Sequence, residues 1–156
     1  MKLTLKSILA VILITLSSHV FAQSDQEFFL TIFKTEKREY FAQHMNLKET
    51  QFNAFWDTYS TFETERVEIG RQRIEMLKVY VEKYTTMTDE DADQIMKTWL
   101  SLEKKEDALR TKYFGKMKQS LGAKVAARFI QIDDYIQTVI KFEILDELPF
   151  IGEELN

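Results

Sequence analysis

"FNAFWDTYSTF", residues 52–62, sets five aromatic side chains into eleven positions. At about 100° per residue, Phe52, Phe55, Trp56, Tyr59 and Phe62 fall within an arc of about 120° of a helix, and Asn53, Asp57, Ser60 and Thr61 take the rest. The spacing predicts one buried stripe, not a rod coated with rings. The stripe continues through Val67, Ile74, Leu77, Val81 and Tyr84, with nothing strong enough to stop a helix before "TTMTDED" at 85–91. The helix expected here has about 38 residues and is roughly 57 Å long, well above the ordinary globular length.

The neighbouring segments carry the same period. Thr88 is the next N-cap, and Asp89, Glu90 and Asp91 follow in the first turn, where they oppose the positive end of the helix dipole. Ile95, Trp99, Leu102, Leu109, Tyr113 and Met117 then recur at steps near 3.5 up to Leu121 and Gly122, giving a second long helix with its own seam. Upstream, Ser24 with Glu27 reads as a capping box, and Phe28, Phe29, Ile32, Phe33 and Tyr40 mark a helix over Asp25 to Gln43. "HMNLKE" at 44–49 interrupts it, with Asn46 the expected N-cap of the long aromatic helix. The last helix, Lys124 to Glu147, presents Val125, Phe129, Ile132, Ile136 and Val139 on one line and Ala126, Ile130, Ile140 and Ile144 beside it. Pro149 stops it, and residues 149–156 form a short tail whose Phe150 and Ile151 are expected to dock back.

The fold class that follows is all-α: an elongated four-helix hairpin or bundle built on two long antiparallel helices. Folding them about the turn at 85–88 pairs Leu77 with Met96, Ile74 with Trp99, Tyr59 with Phe114 and Trp56 with Met117. Midway, apolar matching lapses and charges replace it. Glu63 falls opposite Arg110 and Arg66 opposite Asp107, so a polar waist held by these two pairs is expected.

The first 22 residues read as an export signal: Lys2 and Lys6, the apolar run "ILAVILITL", then Val20 and Ala22 as the small residues before a cut. The run is shorter than the roughly 20 residues a spanning helix needs. The expectation is cleavage, a single helical domain over 23–148, a periplasmic location and no stable membrane insertion. Loss of Lys2 and Lys6 leaves 19 of the 21 basic residues against 25 acidic ones, a formal charge of −6. That balance argues against nucleic acid as a partner, which requires a clustered basic face. No cysteine is present, so stability rests on packing alone.

Chemistry is sparse. Cysteine nucleophiles are impossible, His44 is the one histidine after cleavage, and neither a nucleophile elbow nor a glycine-rich phosphate loop is present. "DEDAD" at 89–93 fails as a calcium loop, because its sixth and twelfth positions are Gln94 and Leu100 where glycine and glutamate are needed. No cofactor and no enzymatic activity are expected. His44 with Met45 is the one local pair that suggests a metal.

"LKETQ" at 47–51 and "MTDED" at 87–91 both open a long helix and lie forty residues apart. They resemble the LTxxQ motif of the Spy and CpxP family of small helical periplasmic stress proteins, with Leu47, Gln51 and Thr88 matching it. Lys48, Met87 and Asp91 depart from it. The resemblance implies a curved helical hairpin, a homodimer, and binding of unfolded clients without ATP or service as an envelope-stress adaptor. Together these readings give a non-enzymatic exported protein whose partners are protein clients. A scaffold with one dedicated partner and a metal-binding or metal-sensing protein are the alternatives. Leu30, Phe41, Ile69 and Val79, which lie off the main stripes, are the expected binding surface.

Overall fold

Two long helices carry the architecture: α2 over Phe52–Lys83, of 32 residues, and α3 over Asp89–Leu121, of 33. They belong to a computed structural model that describes residues 35–153. The described part of α1 is 35–44, and α4 spans Ala123–Glu147. Among the described residues there is no strand, and the class is all-α. The expected signal segment, Leu30 and the start of the helix expected from Asp25 lie outside the described residues. The helices fall into two compact units. Residues 41–133 form one, and 35–40 with 134–153 are the described part of the other.

Local chemistry explains most helix ends. The Thr88 side chain accepts from the Asp91 N–H at 3.2 Å, and the Asp91 carboxylate accepts from the Thr88 N–H at 3.2 Å, a complete capping box. Asn46 behaves otherwise than expected. Its φ of +49° places it in the left-handed region just after α1, while the Met45 N–H donates to the Phe41 carbonyl at 2.9 Å. Asn46 therefore ends α1 and does not begin α2, a use of asparagine second only to glycine. The start of α2 is instead a 3-10 turn over Glu49–Gln51, where the Lys48 N–H donates to Gln51 Oε1 at 3.0 Å.

In the unit over 41–133, the aromatic stripe of α2 packs on more than the α3 seam. Phe41 lies 4.9 Å from Tyr59 and 5.5 Å from Phe129, ring centre to ring centre, and Phe62 lies 5.0 Å from Phe129 and 5.2 Å from Tyr113. Phe55, Trp56, Tyr59 and Phe62 are buried, and Phe52 is exposed, edge-on to Trp56 at 6.0 Å. Such tilted and edge-on pairs add to the area term at about 0.5–1.5 kcal/mol each. This cluster is the core of the unit.

In the other unit, Tyr40 stacks on Tyr135 with ring centres 5.5 Å apart and planes 12° from parallel. Burial, then the charge and hydrogen bond of the neighbouring Tyr135 hydroxyl, pushes the Tyr40 hydroxyl above its usual pKa. Past α4 the tail closes a turn on itself: the Phe150 N–H donates to Glu153 Oε2 and the Glu153 N–H to the Phe150 carbonyl, both at 3.0 Å. Phe150 and Ile151 are exposed, which corrects the expectation that they dock back.

Between α3 and α4 stands a single residue. The Gly122 N–H donates to the Lys118 carbonyl and the Gly122 carbonyl accepts from the Ala126 N–H, each at 3.1 Å, so the same glycine ends one helix and starts the next. It does so at φ +91° and ψ 159°, a region essentially closed to residues with a Cβ. A Cβ there would meet no neighbour, so the cost of Gly122→Ala is backbone strain alone. We expect it to lower unfolding free energy by about 1–3 kcal/mol in urea titration, with helicity retained.

Candidate functional site

The polar waist exists, and in it Arg66 takes a partner other than the one expected. Asp133 of α4, fully buried, takes Arg66 through two hydrogen bonds, Nη2 to Oδ2 at 2.9 Å and a shorter one from Nη1 to Oδ1. Arg110 Nε lies 3.2 Å from the same Oδ2. Glu63 is buried beside them, and Arg66 also stands 4.3 Å over the Phe62 ring. Burial works against the Arg66 charge, but the Asp133 carboxylate, helped by Glu63 and Glu106, outweighs it and raises the guanidinium above its ordinary value. Arg66 thus pairs with Asp133 and not with Asp107, while Arg110 reaches Asp133 and, at 3.7 Å, Asp107 on its own helix.

The expected pair of Arg66 with Asp107 fails for a geometric reason. A helical side chain lies over the turn N-terminal to its own Cα, so in an antiparallel hairpin residues at one level lean apart. Contacts form between residues about one turn further on. Glu65 accepts from Lys112 at 2.7 Å and from the Tyr113 hydroxyl at 2.8 Å, Lys105 donates to Gln72 at 2.7 Å, and Arg73 meets Glu106 at 2.8 Å. The hydrogen bonds from Lys112 and Tyr113 hold the Glu65 carboxyl below the usual range. Burial, then Glu65, pushes the Tyr113 hydroxyl up to about 12.

The motif residues are placed at the two ends of this hairpin. Gln51 Nε2 donates to the Leu121 carbonyl at 3.5 Å, tying the foot of α2 to the end of α3, and Leu47 is half-buried beside it in sequence. At the other end Thr88 caps α3, and Asp91 receives Lys83. The Lys83 and Thr88 hydrogen bonds lower the Asp91 carboxyl to about 2.

Of the expected binding surface, Val79 alone is found exposed, at 41%. Leu30 lies outside the described residues. Phe41 and Ile69 are buried, Phe41 because α2 and α4 rings close on it, and neither offers a surface. The other large exposed apolar side chains are Phe52, Val81, Met96 and Leu100 on the hairpin and, toward the C-terminus, Tyr135 at 56%, Phe142 at 60%, Leu145 at 46%, Phe150 at 80% and Ile151 at 43%. The signal was present, since Tyr135, Phe142 and Leu145 fall opposite the two apolar lines of α4. His44 and Met45 do not share an environment, since Met45 is buried and His44 exposed. Among the described residues no group of three or more His, Cys, Asp or Glu side chains is placed to hold a metal ion, and no helix is long and apolar enough to cross a membrane.

Compared with protein-family models, with curated proteins and with solved structures, the chain finds no match.

Two outcomes are expected. Asp133→Ala leaves Arg66 buried with its carboxylate gone and should destabilise by about 3–5 kcal/mol. A double-mutant cycle should couple Arg66 to Asp133 by about 2–3 kcal/mol and Arg66 to Asp107 by less than about 0.5. A coupling to Asp107 as large as that to Asp133 would refute the assignment. For Asp91, whose folded pKa is below its unfolded one, the stabilisation is complete above the unfolded value near 3.8 and is lost as pH falls toward about 2. Carboxyl-detected NMR titration should show this midpoint rising in Lys83→Ala and in Thr88→Ala.

Proposed function

We propose that this chain is an exported, non-enzymatic protein that binds other proteins through apolar surface, as an ATP-independent chaperone or envelope-stress adaptor of the Spy and CpxP kind in the periplasm. One observation carries the reading: the last part of α4 and the tail expose Phe142, Leu145, Phe150 and Ile151 within ten residues. Aromatic and aliphatic side chains concentrated in this way mark protein interaction sites, whereas singly scattered ones do not. The two helix-opening motifs support it further, since Gln51 and Thr88 sit at the two ends of the hairpin, where capping gives the resemblance a physical role.

Light scattering of a chemically unfolded client diluted into the purified protein tests it. Suppression of aggregation near an equimolar ratio is expected. The double variant Phe142→Ser, Leu145→Ser should need several times more protein for the same effect while keeping its helicity. An inactive wild type would end the chaperone reading, and a single stoichiometric partner in affinity capture would replace it with a dedicated scaffold.

A further inference from the structure

Tyr40 of α1 and Tyr135 of α4 stack across two helices with their hydroxyl ends together. The ring centres lie 5.5 Å apart with planes 12° from parallel, and the two hydroxyls share a hydrogen bond. An offset stack with matched ends brings the Cε carbons, those beside each hydroxyl, close to one another. Tyr135 is exposed and Tyr40 half-buried, so the pair opens to solvent. The chain has six tyrosines in all. Tyr59 and Tyr113 are buried, and Tyr80 and Tyr84, one turn apart on α2, stack less closely, at 6.1 Å and 25°. No cysteine is available to tie one helix to another, although the export proposed above would carry the chain into an oxidising compartment.

From this geometry we propose that Tyr40 and Tyr135 form an oxidative modification site, where a peroxide-derived one-electron oxidant joins the two rings as an intramolecular dityrosine. Each phenol gives one electron to the oxidant and its hydroxyl proton to water, leaving a neutral radical with spin on Cε. The two unpaired electrons form one Cε–Cε bond. Each of those carbons then loses its hydrogen as a proton while its phenolic oxygen regains one, which restores both hydroxyls. The net loss is two ring hydrogens, as two protons and two electrons, and one hydrogen peroxide takes up both to give two waters. The bond ties α1 to α4 across a long loop, where a covalent link, like a disulfide, restricts the unfolded chain most.

Oxidation of the whole purified protein, kept dilute, with a haem peroxidase and hydrogen peroxide tests this. Blue dityrosine fluorescence should develop in single chains whose mass has fallen by two hydrogens. Tryptic peptides 39–48 and 129–141, which hold Tyr40 and Tyr135, should be recovered joined. Tyr40→Phe and Tyr135→Phe each keep a ring for the stack and should each remove most of the fluorescence, whereas Tyr80→Phe should leave it unchanged. The joined protein should also unfold at higher urea than the untreated one. Peptides 79–83 and 84–97 joined instead would assign the reactivity to Tyr80 and Tyr84 and overturn the proposal. A cross-link found only between two chains, or Tyr135 oxidised without coupling to Tyr40, would overturn it as well. An equal yield of the 40 to 135 link from protein unfolded in urea beforehand would show that the stack has no part in the reaction.

Discussion

The pairing of Arg66 with Asp133 is the constraint on which the unit over 41–133 depends. Both side chains are buried, one on α2 and one on α4, and α3 contributes Arg110 to the same carboxylate. Moving two charges out of water costs several kcal/mol per ion, and only good geometry offsets it. Here the geometry is bidentate, with Phe62 against the guanidinium face. An apolar core would tolerate α4 sliding along the hairpin, whereas a forked guanidinium and a planar carboxylate accept one register. The aromatic cluster of Phe41, Tyr59, Phe62 and Phe129 then packs in that register, all four rings buried.

Charge is distributed in two distinct ways along the chain. On the hairpin, acids and bases form cross-helix contacts, each of small worth when exposed, and together they leave that surface electrically mixed. Toward the C-terminus acids follow one another among exposed apolar side chains with no base in the stretch. The first pattern suits a solvated structural face.

Helix identity and the capping of α3 were legible in the sequence because they depend on neighbours three or four residues away: Thr88 with Asp91, and Gly122 after Leu121. Asn46 was misread because asparagine serves equally as an N-cap and as a left-handed terminator, and only the backbone distinguishes them. Asp133 was missed although its position betrays it, since it lies four residues after Phe129 and seven after Ala126, on a buried line. An acid on such a line implies a buried base. The expected pairing of Arg66 with Asp107 across the hairpin went wrong because it matched residue levels and ignored the lean of side chains. Phe41 looked peripheral because its covering comes from elements distant in sequence, which periodicity within one helix does not reveal.

The spacing of these contacts also orders events in time. The turn between α2 and α3 is closed by Lys83 and Asp91, eight residues apart, whereas Arg66 and Asp133 are separated by 67. Closing the longer loop from an open chain costs about 2 kcal/mol more in entropy. The hairpin should therefore assemble first with its middle still hydrated around Arg66, and the arrival of α4 should expel that water last. A chain without α4 lacks the carboxylate that completes the interior of the hairpin, so the final dry packing waits on that helix.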